Sequence, residues 1–227
     1  MLLVKMVLIG GLTGVLSGLL GVGGGFVLIP LLSATQVPIR EAVATSLLYV
    51  VFVAAAGAWS HLRQGTVDWV LAATLAGGAI PAAPLGSLAA HHLPAALLEV
   101  TFAGLALAAC AGLFLRREPR FAGHPDGMGA GQDRAYVVWR RCRYAGTEHV
   151  FRVDALRGLL LGVGIGFISG LLGLGGGWLL VPLLVLVMGI PVPVAVGTSL
   201  VAILAPALTG ALAHYRLGNL EPGRALP

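Results

Sequence analysis

Long apolar stretches, separated by short polar breaks, make up most of the chain. Proline, histidine or charged residues mark each break, as is typical of turns at a membrane surface. An α-helix needs roughly 20 apolar residues to cross a bilayer. Six stretches approach that length, at residues 6–32, 42–60, 69–90, 95–115, 158–188 and 194–213. The pattern therefore predicts an all-α protein, a polytopic bundle of transmembrane helices.

The apolar pattern occurs twice. Residues 17–32 return as residues 169–184 with twelve of the sixteen positions identical, at an offset of 152. Shorter matches follow at an offset of 153, between residues 42–47 and 195–200 and between residues 57–65 and 210–218. Duplicated units of this kind are common in transporters, so the bundle is expected to consist of two homologous repeats.

The duplication divides the chain into three parts. Residues 1–115 form the first transmembrane repeat, with about four helices, and residues 116–157 form a linker. Residues 158–227 form the second repeat, with about two helices. Residues 69–115 have no counterpart in it, so the second repeat is expected to be truncated. Whether the repeats are parallel or inverted depends on the number of crossings between them, which the sequence leaves open.

Charge is concentrated in the linker. Hydrophobic residues make up 58% of the chain and charged residues only 10%, too little polar surface for a water-soluble protein. Nine of the fourteen Lys and Arg residues lie within residues 116–157, which predicts a cytoplasmic linker by the positive-inside rule. Counting one crossing per apolar stretch from there places Arg63 and Arg216 on the cytoplasmic side as well.

The linker is expected to bind no partner. Residues 118–149 are polar and rich in turn-forming residues, which predicts a mobile segment that does not pack. Regularly spaced aromatic residues for base stacking are absent from it, so no nucleic-acid partner is expected.

Three consecutive glycines interrupt an apolar stretch in each repeat, at residues 23–25 and 175–177. Each glycine costs a helix about 1 kcal/mol relative to alanine, so a helix break is expected there, with new half-helices starting near Phe26 and Trp178. Broken helices at membrane depth must face protein or water, and the N–H groups that open a helix suit an anion. A nucleotide-binding loop is excluded, because no strand precedes the glycines and no Gly-Lys-Ser/Thr follows.

Hydroxyl residues accompany each break as Thr45-Ser46 and Thr198-Ser199. Such residues either cap the backbone locally or hydrogen-bond an anion opposite the break, and both readings stay open. The candidate substrate-binding residues are Gly21, Gly23, Gly24, Gly25, Thr45, Ser46, Gly173, Gly175, Gly176, Gly177, Thr198 and Ser199.

A His-x-Arg-x-Gly motif follows the Thr-Ser pair in both repeats. Its residues either anchor helix ends at the membrane surface or form an electropositive vestibule that gathers anions. The candidate vestibule residues are His61, Arg63, His214 and Arg216.

Glycines spaced by four line the first helix of each repeat. Small residues at this spacing let a second helix backbone approach closely, and we interpret them as packing residues. The two sets are Gly10, Gly14 and Gly18, and Gly158, Gly162, Gly166 and Gly170.

Residues for catalysis or metal binding are sparse. The two cysteines have no metal-ligand spacing. Glu99, near the start of the fourth stretch, is the only carboxylate within the six apolar stretches. No catalytic motif is present. The chain is therefore expected to have no cofactor, no metal and no enzymatic activity.

The doubled Ser-Gly-Leu-Leu-Gly-x-Gly-Gly-Gly block, followed by Ala-Val-x-Thr-Ser-Leu and His-x-Arg-x-Gly, resembles the sulfite exporter TauE/SafE family of membrane permeases. The resemblance covers residues 8–68 and 160–221. It implies transport of small sulfur-containing anions, such as sulfite or organosulfonates, across the inner membrane of a prokaryote. It also implies that the glycine blocks and Thr-Ser pairs line the substrate path.

We therefore expect a permease that works by alternating access, with the small anion and the lipid bilayer as its partners. A second copy of the chain, in a homodimer, is a further expected partner, because it would cover the face left open by a truncated repeat. The alternative is a non-transporting membrane protein, either an assembly partner or a decayed permease.

Overall fold

Helices formed by the apolar stretches make up most of the structure. They are α1 (Gly25–Ala34), α2 (Ile39–Arg63), α3 (Trp69–His92), α4 (Ala155–Leu172), α5 (Gly177–Met188) and α6 (Val192–Arg216). The computed structural model describes residues 10, 11, 13–15, 17, 24–34, 39–94, 96–98, 100, 101, 103–105, 107, 111, 137–144 and 147–218.

Among the described residues, four helices are long and apolar enough to cross a membrane, namely α2, α3, α4 and α6. At 1.5 Å per residue, the 25-residue helices α2 and α6 are about 37 Å long, which exceeds a hydrocarbon core of about 30 Å. The described residues between 10 and 17 are also helical, and a shorter apolar helix covers Ala96–Leu105. The predicted helical membrane bundle is confirmed.

Helices α2 and α6 are equivalent in the two repeats and pack against each other in opposite directions. A Cβ placed on Gly57 would lie 2.9 Å from Leu200, and one placed on Gly210 would lie 3.3 Å from Leu47. The two contacts are equivalent to each other with the helices interchanged, because Leu47 corresponds to Leu200 and Gly57 to Gly210 at the offset of 153. The equivalent helices are therefore related as in inverted repeats.

This antiparallel packing corrects the predicted placement of two arginines. Arg63 is the last residue of α2 and Arg216 is the last residue of α6. Because the helices are antiparallel, the two arginines lie at opposite ends of the helix pair and not on the same side of the membrane. The count was wrong because residues 158–188 do not cross once. They form α4 and then α5, and α5 returns to contact strand β2 (Thr147–Asp154), which directly precedes α4.

Helix α3 runs parallel to α4, and their backbones meet through glycines. Cβ atoms placed on Gly162 and Gly170 would overlap the carbonyl oxygens of Leu75 and Ala83. In the reverse direction, a Cβ on Gly86 would overlap the carbonyl oxygen of Phe167. Dense contact of this kind requires residues without side chains, so the packing interpretation of the second glycine set is confirmed.

The buried core lies where α2, α3 and α6 meet. Leucine side chains from all three helices are almost fully inaccessible there, and they belong to one cluster. These leucines include Leu47, Leu71, Leu75 and Leu200. This core fixes α2 and α6 along their length and so positions the glycine breaks that lie against α2.

The linker contains a β-hairpin that the sequence analysis does not predict. Strand β1 (Val137–Tyr144) pairs antiparallel with β2, and Val153 at its end is buried in the helical core. The prediction of an unpacked segment is therefore wrong for residues 137–144 and 147–149, while residues 145 and 146 lie outside the described residues. The prediction rested on the polar composition of the segment alone. The β-branched and aromatic residues that recur in both strands favour a sheet. Residues 118–136 lie outside the described residues.

Candidate functional site

The second glycine break separates α4 from α5. Gly173 caps α4 in the left-handed conformation, with φ of 72°, and its N–H donates to the carbonyl of Ser169 at 2.8 Å. Gly175 and Gly176 follow with φ of 68° and 73°, and α5 begins at Gly177. Side chains disfavour this region and glycine does not, so the glycine sequence explains where the helix ends.

The first break has the same form where the structure describes it. Gly24 has φ of 78° and α1 begins at Gly25, the equivalents of Gly176 and Gly177. Both half-helices therefore start within one residue of the predicted positions. Gly21 and Gly23 lie outside the described residues.

The structure brings the two breaks together against α2. A Cβ placed on Gly25 would lie 3.0 Å from Cα of Leu174 and 2.7 Å from Oγ of Ser46. From the second break, Gly173 lies against Val43 and Gly175 against Val50. Val50 is close to the midpoint of α2, so the breaks meet near the middle of a helix long enough to cross the membrane.

Three serine hydroxyls surround the breaks. Ser17, Ser46 and Ser169 are exposed by at most 2%, and their Oγ atoms have no hydrogen-bond partner among the described residues. Ser17 and Ser169 are equivalent, and their Cβ atoms lie 3.3 and 3.5 Å from the Cβ positions of Gly24 and Gly176. A buried hydroxyl without a partner costs roughly 1–3 kcal/mol, and such groups are uncommon outside sites with a further role.

Ser17 and Ser169 are not among the candidate residues predicted from the sequence. The signal that marks them is their place as the first residue of the duplicated block, at residues 17–32 and 169–184. The prediction rested on the glycines of the block and did not include its first position.

The two Thr-Ser pairs differ in their contacts. Ser46 lies at the first break, and Thr45 is partly buried beside it. In the second repeat, Oγ1 of Thr198 accepts a hydrogen bond from the backbone N–H of Asp68 at 3.0 Å. Ser199 Oγ donates to the carbonyl of Val196 at 2.8 Å. The second pair therefore uses its hydroxyls within the protein.

We expect Thr198→Val to destabilise the protein, because valine keeps the shape of threonine but leaves the N–H of Asp68 without this acceptor. Asp68 is 5% exposed, so the expected cost is about 1–3 kcal/mol, seen as a lower unfolding midpoint in detergent. Thr209→Val is the matched control on the same helix, since Thr209 donates only to carbonyl groups. An equal loss in both variants would contradict the assignment.

The two His-x-Arg pairs lie at opposite ends of the α2–α6 pair. Nδ1 of His61 is 2.9 Å from Oγ1 of Thr66, and the Arg63 guanidinium lies 5.0 Å from the ring centroid of Trp59. His214 is 1% exposed. His214 and Arg216 lie in the last turn of α6, at the opposite end of the helix pair from His61 and Arg63. The four residues therefore do not form one common vestibule.

His214 contacts the last turn of α4, next to the second break. Its Nε2 donates to the carbonyl of Gly170 at 3.0 Å, three residues before the helix ends at Gly173. The hydrogen bond holds the last turn of α4 against α6, and so fixes where the break begins.

The electrostatics of the breaks come from the backbone and from hydroxyl groups. The residues named at the two breaks carry no formal charge, and the described residues contain no group of three or more His, Cys, Asp or Glu that could hold a metal ion. The N-terminal ends of α1 and α5 both open at the breaks. The N-terminal end of a helix favours negative charge, so the arrangement suits a small anion.

Known proteins are similar to this chain over most of its length. The family model for sulfite exporter TauE/SafE matches residues 6–227. The probable membrane transporter protein YunE of Bacillus subtilis is 27% identical over 228 residues, which cover 96% of this chain and 80% of that protein. YdhB of the same organism, also named a probable membrane transporter protein, is 25% identical over 217 residues, covering 95% and 80%.

A shorter match joins the chain to a probable membrane transporter protein of Xylella fastidiosa, 38% identical over 85 residues, or 37% of this chain and 33% of that protein. No solved structure matches the chain. The family match, the relatives named as transporters and the membrane-length helices agree with one another. The chain is a multi-pass membrane protein that belongs to the sulfite exporter TauE/SafE family.

Proposed function

We propose that this protein is a permease that moves small sulfur-containing anions, such as sulfite or organosulfonates, by alternating access. The observation that carries the proposal is the meeting of two glycine breaks beside three buried hydroxyls without hydrogen-bond partners among the described residues. Helix N-termini and hydroxyl donors recognise anions without placing a fixed positive charge inside the membrane. Weak recognition of this kind allows an anion to bind and then to leave.

The inverted relation of α2 and α6 supports the transport cycle. Two halves related in this way can exchange conformations, so that a central site faces one side of the membrane and then the other. The breaks lie near the middle of α2, where such a site must be. Gly24, Gly25 and Ser46 then belong to one half-site, and Ser169 with Gly173 to Gly177 to the other.

The proposed location is the inner membrane of a prokaryote, with the hairpin end facing the cytoplasm. Strand β1 carries Arg140, Arg141 and Arg143, and α2 ends at Arg63 on the same side. The opposite end holds Arg40 and Arg216. The excess of arginine at the hairpin end supports this orientation by the positive-inside rule.

Flux into lipid vesicles tests the proposal. Purified protein is reconstituted, and uptake of sulfite, methanesulfonate and acetate is measured against empty vesicles and at several membrane potentials. We expect saturable flux of at least one sulfur-containing anion. Absence of flux, together with no shift of the unfolding midpoint by any of the anions, would favour the non-transporting alternative, because a ligand at 100 times its Kd stabilises a protein by about 2.7 kcal/mol.

Replacement of the buried serines separates binding from folding. We expect Ser46→Ala and Ser169→Ala to leave the unfolding midpoint unchanged or higher, because each removes a buried hydroxyl that has no partner among the described residues. Flux should fall by about tenfold or more, since a hydrogen bond to a charged ligand contributes about 1.5–3 kcal/mol. Ser60→Ala on the exposed face of α2 is the control. Flux equal to that of the wild type in both buried variants would refute the assignment of these hydroxyls.

A further inference from the structure

The two half-sites differ at the position that Tyr49 occupies in α2. Tyr49 in the first repeat corresponds to Ala202 in the second at the offset of 153. The Tyr49 ring lies directly on the first break, because a Cβ placed on Gly24 would come within 2.7 Å of its Cε1. The tyrosine therefore occupies the space beside the first break.

Hydrogen bonds hold the ring in that space. The Tyr49 hydroxyl donates to the carbonyl of Gly10 at 2.9 Å and lies 2.8 Å from Oγ1 of Thr13. It is also 3.4 Å from the Cβ position of Gly14. Tyr49 thus fills the volume between α2 and the N-terminal helical residues, on a floor formed by Gly10, Thr13 and Gly14.

The second repeat has a cavity in the equivalent place. Its walls include Gly162, Ile165, Gly166 and Ser169, the equivalents of Gly10, Thr13, Gly14 and Ser17. Ala202 forms part of the wall where the tyrosine would stand. The cavity therefore lies at the place that the Tyr49 side chain takes in the first repeat.

The walls of this cavity combine one polar group with an apolar surface. Ser169 is 1% exposed and its Oγ has no hydrogen-bond partner among the described residues. The cavity also touches Gly175 and Leu180, so it lies beside the first turn of α5. Its remaining surface is apolar and includes Ile165, Leu180 and Ile203.

In this conformation the cavity has room for about one water molecule. Ile165 takes up part of the space, because its Cγ2 lies 2.5 Å from the Cβ position of Gly176. The space is too small for a sulfur-containing anion, so a ligand would enter only when the helices around it move apart.

We propose that the ligand is a small anion with one short apolar substituent, and that this substituent lies in the second repeat alone, at the place that Tyr49 takes in the first. The inference rests on the proposed function. The anionic group would meet the N-terminal end of α5 and the hydroxyl of Ser169. The substituent would lie on Ile165, Leu180 and Ile203.

Filling the cavity tests the inference, with methanesulfonate as the transported probe. Ala202→Leu fills it directly, and the double variant Ile165→Thr with Ala202→Tyr copies the Thr13 and Tyr49 pair of the first repeat. We expect both to reduce methanesulfonate flux by about tenfold or more, as misfit of a few carbon atoms does in ligand pockets. Leu208→Tyr, on the same helix at a side chain that is 55% exposed, should transport as the wild type does.

A cysteine variant gives a second measurement that does not depend on tolerance of a larger side chain. Ala202→Cys is made with Cys110 and Cys142 replaced by alanine, and its labelling by methyl methanethiosulfonate is timed in vesicles. We expect methanesulfonate to slow the labelling by about tenfold at saturating concentration, because it occupies the cavity. Sulfite, which has no apolar substituent, should protect less at equal concentration.

The outcomes distinguish this inference from the proposed function. If wild-type vesicles transport no anion, the proposed function fails. If the wild type transports methanesulfonate, and the filled variants transport it equally or the cysteine is not protected, only the inference is overturned. Better protection by sulfite than by methanesulfonate would overturn the apolar-substituent part.

Discussion

Gly170→Ala is expected to lower the free energy of unfolding by about 3 kcal/mol or more, the upper range for overpacking of a dense interface. The added Cβ would overlap the carbonyl oxygen of Ala83 and would lie 3.0 Å from the backbone nitrogen of Ser87. Both atoms belong to the backbone of α3, which cannot turn aside as a flexible side chain can. Helices α3 and α4 would have to separate, and the hydrogen bond from His214 to Gly170 would be strained with them.

The matched control for this prediction is Gly164→Ala, on the same helix. Gly164 has no atom within 4 Å of its Cβ position, so alanine there should be neutral or stabilising by up to about 1 kcal/mol through helix propensity. Unfolding midpoints of the two variants and the wild type in one detergent measure the difference. Similar midpoints for both variants would show that α3 and α4 are not in close backbone contact.

Gly173→Ala is expected to abolish transport and to lower stability by about 3 kcal/mol. The left-handed conformation costs an alanine roughly 1–2 kcal/mol, and its Cβ would also lie 2.6 Å from Cα and the carbonyl oxygen of Val43. The second break would then be pushed away from α2, and the two breaks would no longer meet. Vesicle flux and the unfolding midpoint should therefore fall together.

Gly189→Ala isolates the conformational part of this effect. Gly189 caps α5 with φ of 65°, close to the 72° of Gly173, but nothing lies within 4 Å of its Cβ position. Gly189→Ala should therefore lower the free energy of unfolding by only about 1–2 kcal/mol, the cost of the strained backbone, and the variant should retain transport. If Gly173→Ala transports as well as Gly189→Ala, then contact between the second break and α2 is not needed for function.

The helix breaks could be predicted from the sequence because their cause is local. Three consecutive glycines raise the cost of helix wherever they occur, and α1 and α5 begin at Gly25 and Gly177, one residue from the predicted starts. The close packing of α4 was equally readable, since glycines at four-residue spacing define one helix face. These features need no knowledge of the neighbouring segments.

The relative direction of α2 and α6 could not be read in this way. It depends on whether residues 158–188 cross the membrane once or return, and hydropathy is the same in both cases. The hairpin could not be predicted for a similar reason. Its arginines suggested a solvated linker, whereas strand pairing depends on which residues face each other. Ser17 and Ser169 were not predicted because what distinguishes them is burial without a hydrogen-bond partner among the described residues, which is a property of the packed structure.

The reciprocal contact of Leu47 with Gly210 and of Leu200 with Gly57 has the form of an isologous interface, in which each side offers the same patch. In a symmetric dimer of identical chains, a substitution in such a patch appears on both sides at once. Within one chain the two sides can differ, as Tyr49 and Ala202 do, so one half can carry a feature that the other lacks.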